Sequence, residues 1–182
     1  AARLVTEAPE INWVKCLAIY PRTELLRDQF VEAFREARRL DSFLASKGRP
    51  PIRVGALFGA TPHGERAMRG SNPAWVRRPG GYVCAYMACP AMGCGGELLW
   101  PNEDIDSGRE ALECADCGYR IEKDMVALTR SAMSTEPPDI LFTTTEMLNQ
   151  RMSDTDLRHL FGLRPDEGRH PEVVLLDEVH TY

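Results

Sequence analysis

Apolar positions along the chain follow two different rhythms. Four short, continuous runs are closed by proline, glycine or charge: "KCLAIYP" (Lys15 to Pro21), "IRVGALFG" (Ile52 to Gly59), "DILFTTT" (Asp139 to Thr145) and "EVVLLDE" (Glu172 to Glu178). Unbroken runs of this length suit strands buried on both faces. Between the first two, apolar residues recur at Leu26, Phe30, Ala33, Ala37, Leu40 and Leu44, in steps of four and three that share one helix face. Thr23 is the expected N-cap of that helix, and Gly48 with Pro50-Pro51 its stop. Between the last two, "TEMLNQRM" and "SDTDLRHLFGL" have helical character, the second opened by a capping box of Ser153 and Asp156. Strands alternating with helices predict an α/β fold, a parallel sheet covered by helices on both faces.

One long stretch breaks the rhythm. After about Thr61 and up to Arg130 periodicity is lost, glycine and proline are dense, and four cysteines occur in two pairs. The expected organisation is therefore a first part of the α/β lobe at residues 1–62, an inserted module at 63–130 and a second part of the lobe at 131–182. Within the insertion, Arg66, Arg69, Arg77 and Arg78 surround Trp75, a basic stretch that reads either as a solvated loop or as a DNA-touching surface.

Composition changes this picture little. The 182 residues are 43% hydrophobic and 27% charged, with a net charge of −5, which argues against a generally basic nucleic-acid coat but leaves room for a local groove. No apolar run approaches the roughly 20 residues of a membrane span, so no membrane partner is expected and a cytoplasmic protein is the default.

The paired cysteines matter more. Cys89 and Cys94 form a C-x4-C, Cys114 and Cys117 a C-x2-C, separated by nineteen residues, each pair with glycine just after its second cysteine. Short turns that aim amides at thiolates suit tetrahedral zinc, and the pattern resembles a zinc ribbon. An iron–sulfur cluster is the rival. Cys84 is an alternative to Cys89, and Cys16 is expected to be a small buried side chain of the first strand. A closed four-cysteine site has no open coordination position, so the metal is expected to staple an insertion short of apolar surface rather than to catalyse.

The last strand run ends in Asp177-Glu178. An apolar strand ending in Asp-Glu is the layout of a Walker B element, in which one carboxylate holds Mg²⁺ through its water shell and the next orients the attacking water. That assigns Asp177 to the metal and Glu178 to the water, with His180 on the same side as Glu178. Solvated acids at a strand end are the bland alternative.

The other segments strengthen the nucleotide reading. "DEVH" after four aliphatics resembles motif II of the superfamily 2 (DEVH-box) helicases. "YPRTELLRDQ" (Tyr20 to Gln29) resembles motif Ia of the large Lhr- and YprA-type members, "PDILFTTTEMLNQRM" (Pro138 to Met152) resembles motif Ib, and "GALFGATP" occupies the place of the motif between them. The resemblance covers residues 15–62 and 137–182, and it implies a RecA-like lobe, incomplete here, of a motor that couples Mg-ATP hydrolysis to movement along nucleic acid, expected to be DNA. In such motors, turns after successive strands hold consecutive phosphates. The resemblance assigns Arg22 and Thr23 to one, Gly59 and Thr61 to another, and Thr144, Thr145 and the helix start at Glu146 to a third, with simple capping as the alternative for each threonine. Two departures stand out: Thr144-Thr145 replaces the usual Asn-Pro, and no Gly-Lys phosphate loop exists among these residues. The resemblance thus implies an internal piece of a larger chain, with the phosphate loop before residue 1 and a second RecA-like lobe as partner after Tyr182, inactive toward ATP alone. Rival readings are a translocase that moves on duplex without unwinding, and a non-enzymatic zinc-bearing adaptor on a decayed motor lobe.

Overall fold

In the computed structural model, which describes residues 12–163 and 169–178, the four strand runs form one parallel sheet. Its strands are β1 (Cys16–Tyr20), β2 (Val54–Leu57), β8 (Val126–Ala127), β9 (Ile140–Thr144) and β10 (Val173–Leu176), in the order β10-β1-β9-β2-β8. Every pairing in it is parallel, with Ile19 opposite both Thr143 and Leu176, and Leu57 opposite Thr143. Strand alternation sends Ala18, Tyr20, Val54, Ala56 and Phe142 to one face and Leu17, Ile19, Leu57 and Leu141 to the other, and each face has its own core.

Helix α1 (Thr23–Arg39) covers the first face through Leu26, Phe30, Phe34 and Ala37. The expected single helix divides at Leu40, which is 46% exposed rather than facing the core, and a short α2 (Asp41–Ser46) follows. Nor is Thr23 the cap. Arg22 occupies the N-cap position in an extended conformation with no side-chain cap bond, so Thr23 is the first helical residue. Gly48, at φ +65°, ends the unit as expected.

The second face is covered by α4 (Arg130–Thr135), α5 (Thr145–Arg151) and a 3-10 turn at Arg158–Phe161, which bury Met133, Met147, Leu157, Leu160 and Phe161. "SDTDLRHLFGL" is therefore not an α-helix opened by Ser153. The local polar anchor is Asp154, whose carboxylate accepts the Asp156 N–H (3.0 Å) and pairs with Arg151 (3.0 Å), and this tightens the chain into turns.

A second sheet is antiparallel: β3 (Arg77–Arg78), β4 (Gly81–Val83), β5 (Leu98–Pro101), β6 (Leu112–Cys114) and β7 (Arg120–Ile121), with a short α3 (Asn102–Asp106) after β5. The chain re-enters the parallel sheet at Val126, inside the stretch expected to be insertion. β2 and β8 are parallel neighbours, a pairing that needs a crossover connection, usually a helix. Here the antiparallel module is that crossover.

The insertion is not poor in apolar surface. Tyr82, Tyr86, Leu98, Trp100, Ile105, Leu112 and Ile121 are buried in the same core as α1 and the first sheet face. Aromatic rings join the two parts: Trp100 meets Trp75, Trp75 meets Tyr86, Tyr86 meets Phe30, Phe30 meets Phe142, and Phe142 stacks on Tyr20, all at centroid distances of 5.3–5.8 Å. Trp75 is 2% exposed and its indole N–H donates to the Ala60 carbonyl, so it serves this joint and no DNA surface.

The last strand departs from expectation in another way. β10 lies at the edge of the sheet, and its four aliphatic side chains are 37–53% exposed, because no element among the described residues covers them. No helix among those residues is long and apolar enough to cross a membrane.

Candidate functional site

Two places concentrate chemistry: the four-cysteine cluster and the rim at which the parallel strands end. In the first, Cys89, Cys94, Cys114 and Cys117 bring their sulfurs within 4.8 Å of one another. Cys89 lies 3.7 Å from Cys117 and Cys94 lies 3.6 Å from Cys114, so each close approach joins one turn to the other. Cys84 stays outside the set; it is buried, and its sulfur accepts the Tyr86 N–H instead. Cys16 is half-buried in β1 rather than fully enclosed.

Local sequence explains the turns. Gly93, Gly95 and Gly118 take φ of +71° to +76°, which side chains other than glycine rarely adopt. At Gly96 a Cβ would run into the Asp116 side chain, so any other residue there would have to push Asp116 aside where the two turns approach. The amides of Ala91 and Gly96 face the sulfurs of Cys89 and Cys94, and those of Asp116 and Cys117 face Cys114. Burial, together with neighbouring thiols, pushes the Cys89 thiol up to about 12. Burial acts to raise Cys114 too, but the Cys117 and Asp116 amides and the adjacent thiols bring it down to about 7. Amide donors on Cys89, Cys94 and Cys114, with the Cys114 thiol brought down, prepare this set for a cation. The four cysteines can hold a metal ion.

This cluster is fastened to the parallel lobe. Arg35 of α1 donates to the Pro90 carbonyl (3.1 Å), beside Cys89. Lower in the module, Asp104, only 2% exposed, receives both Arg109 (2.7 Å) and Arg120 (2.9 Å). Glu110 accepts the Leu128 N–H (3.0 Å) and faces Arg53 (3.7 Å), whose guanidinium also donates to the Lys123 and Glu136 carbonyls. Sequence patterns do not reveal these staples, because partners such as Arg53 and Glu110 are far apart in the chain and lie in no periodic segment.

The second place is the carboxyl-end rim. Parallel pairing puts the residues after Tyr20, Leu57, Ala127, Thr144 and Leu176 on one edge of the sheet. Asp177 stays attached to it through its N–H to the Ile19 carbonyl (3.1 Å), and its carboxylate accepts the Glu178 N–H (3.0 Å). Glu178 has φ +47°, a left-handed backbone uncommon for a non-glycine residue. His180 lies outside the described residues.

The expected phosphate contacts fare differently from one another. Arg22 is exposed and Thr23 half-buried where β1 gives way to α1. Gly59 is exposed, and a Cβ there would meet nothing, so packing does not demand its glycine. Thr61 is 2% exposed; its hydroxyl donates to the Ala56 carbonyl (2.8 Å) and accepts the Phe58 N–H (2.9 Å). That hydroxyl is consumed in closing the turn, so the assignment of Thr61 to a phosphate has to be replaced by a structural one. Thr144 is the N-cap of α5, accepting the Met147 N–H (3.2 Å). Thr145, the next residue, has a buried hydroxyl with no hydrogen-bond partner among the described residues, and exposed Glu146 completes the helix start.

With this geometry defined, comparison with protein families, curated proteins and solved structures finds no match for the chain. What stands on geometry is an α/β protein with a five-stranded parallel sheet, a carboxyl-end rim bearing Asp177 and Glu178, and a four-cysteine site able to hold a metal ion.

Proposed function

We propose that this chain forms part of the first, RecA-like lobe of an ATP-dependent DNA helicase or translocase of the Lhr- and YprA-like kind. The observation that carries the reading is the shared rim: Asp177 and Glu178 leave β10 on the same edge as Arg22-Thr23, Gly59 and Thr144-Thr145. A strand of nucleic acid held along that edge lies beside the nucleotide chemistry, which is what coupling hydrolysis to movement requires. Asp177 would hold Mg²⁺ through water, and Glu178 would orient and deprotonate the water that attacks the γ-phosphate of ATP. Backbone amides and helix starts at the rim favour phosphate without reading bases.

The 182 residues contain no Gly-Lys phosphate loop, so turnover belongs to a motor in which that loop and a second lobe are supplied outside them. In that motor, Glu178→Gln should abolish nucleic-acid-stimulated ATP hydrolysis while leaving ATP bound. Turnover at the unaltered rate removes the proposal.

For the four-cysteine site we propose structural zinc. Thiolates about 2.3 Å from a tetrahedral zinc lie about 3.8 Å from one another, and the two close approaches here are 3.7 and 3.6 Å. A multi-iron cluster distributes its cysteines over several irons and needs a wider cage than sulfurs all within 4.8 Å provide. A colourless protein releasing one zinc per chain supports this; a brown one does not.

A further inference from the structure

A hollow of about 290 Å³ opens where α4 leaves the rim. His63, the length of α4 from Arg130 to Thr135, and Arg151, Asp154 and Asp156 line it. None of these belongs to the motif-derived contacts, and β8, which delivers Arg130, is too short to leave a pattern in the sequence.

Its charges are unevenly satisfied. Asp154 is committed twice, to the Arg151 guanidinium (3.0 Å) and to the Asp156 N–H (3.0 Å), so it balances Arg151. Arg130 donates through Nε to the Thr61 carbonyl (3.0 Å) and forms no ion pair among the described residues. Half-buried, it is disfavoured in its charged form first by burial and then by Arg151, against lesser favourable influences from Tyr86 and Asp154. Arg151 in turn keeps a buried Nε without a partner. A half-buried guanidinium close to a second one and without an ion pair of its own gains from an anion; Asp156 also lines the hollow but is exposed and pairs with neither arginine among the described residues.

Position decides which anion. The ends of β1, β9, β2 and β8 succeed one another along the rim, three inter-strand steps of about 4.8 Å, or roughly 14 Å in all. We infer that the Arg130 hollow seats a backbone phosphate of a nucleic-acid strand lying along this rim, beyond the Gly59 turn, with Arg151 and Ser131 flanking it. The inference rests on the reading of the rim as a nucleic-acid track, yet can fail without it. His63 and Asp156 are exposed on the lips of the hollow and leave it open to solvent.

The test is fluorescence anisotropy of the zinc-loaded chain with a labelled single-stranded oligothymidylate, titrated at salt concentrations from about 50 to 200 mM. Arg130→Gln and Arg151→Gln are compared with Arg130→Lys and Arg22→Gln, and melting curves confirm folding. The expected result is that Arg130→Gln lowers the slope of log affinity against log salt by about 0.7, the value for one phosphate on a single strand. Arg130→Lys should keep the slope, and Arg151→Gln should lower it by less. If Arg22→Gln weakens binding but neither variant of the hollow changes the slope, the seat is wrong and the track stands. Affinity lost equally at every salt, with the slope intact, marks Arg130 as a packing residue and also overturns the seat. An unaltered chain that binds no oligonucleotide overturns both, and Arg130-dependent binding of polyglutamate in place of the oligonucleotide reassigns the hollow to acidic protein.

Discussion

The two sheets of this molecule solve the same problem by opposite means. The inner strands of the parallel sheet are held mainly by burial: Leu17, Val54, Leu57 and Leu141 are each no more than 5% exposed, and the polar side chains buried with them, Thr143 and Thr144, are satisfied by hydrogen bonds. The antiparallel sheet buries charge as well, with Asp104 enclosed between two arginines and Glu110 set against Arg53, and it adds four thiols poised around one point. A parallel sheet can be specified by hydrophobicity alone, since any aliphatic side chain fits a two-sided core. A small sheet replacing a crossover helix has to be fixed at particular points, and the buried ion pairs and the four clustered cysteines, able to hold a metal ion, are such points. The comparison therefore separates a region stabilised by surface area from one stabilised by specific bonds. Trp75, Tyr86 and Phe30 are where the two regions become one core.

Metal removal attacks that comparison most directly. Structural zinc contributes on the order of 10–16 kcal/mol of apparent binding energy in small zinc domains, so chelation, or Cys114→Ser, should abolish the antiparallel sheet's ordered state. Because the module is the β2–β8 crossover, hydrogen exchange should also accelerate at Val126 and Ala127, which pair with β2, while Leu17 and Phe142 in β1 and β9 remain protected. Protection retained at Val126 and Ala127 in the metal-free protein would show the crossover to be dispensable to the sheet. Loss of protection everywhere would show that the two regions have no separate stability at all.

Trp75→Ala probes the joint rather than either side. Truncating a buried tryptophan costs about 3–5 kcal/mol, which in a chain of this length is on the order of 10 °C in melting temperature. The melting of both regions should shift together, since Trp75 contacts Tyr86 and Trp100 and anchors to Ala60 beyond β2. Two separate transitions, only one of them displaced, would mean that the shared core is a contact between independent parts.

What sequence alone conveyed divides along the same line. β1, β2, β9 and β10, the face of α1 and the four ligand cysteines are all visible as local patterns, because aliphatic runs, helical periodicity and knuckle spacing are short-range signals. β8 is two residues long and escapes notice. The exposed state of β10 is invisible for a different reason: an apolar run records a preference for burial, and only coordinates show whether cover is present. Thr61 and Trp75 mislead because their surface chemistry is tempting, whereas both are turned inward to close a turn and fill a core. The staples Arg53–Glu110 and Asp104–Arg120 are fixed by tertiary approach, which no periodicity encodes.

The smallest effect separates the regions by the sign of their response to acid. In the module, Glu110 has its carboxyl pushed upward chiefly by burial, against the Leu128 N–H and Arg53, so the folded protein holds this proton more tightly than the unfolded chain does. Its contribution to stability therefore falls as pH rises from the ordinary glutamate range through the raised value. In the parallel lobe, Asp154 is held low, first by the Asp156 N–H and then by Arg151, although burial opposes this. Its contribution is present above the ordinary aspartate range and is lost as pH falls through the lowered value. Glu110→Gln imitates the protonated acid, so its melting temperature relative to the unaltered protein should rise as pH increases from the ordinary glutamate range through the raised value. Each tenfold difference in proton affinity at a buried group is worth about 1.4 kcal/mol, or roughly 3–5 °C here. Asp154→Asn should cost stability at neutral pH and lose that cost in acid, with a smaller amplitude because solvent screens the site. Equal slopes for the two variants would erase the contrast between a module that buries its acid and a lobe that caps it.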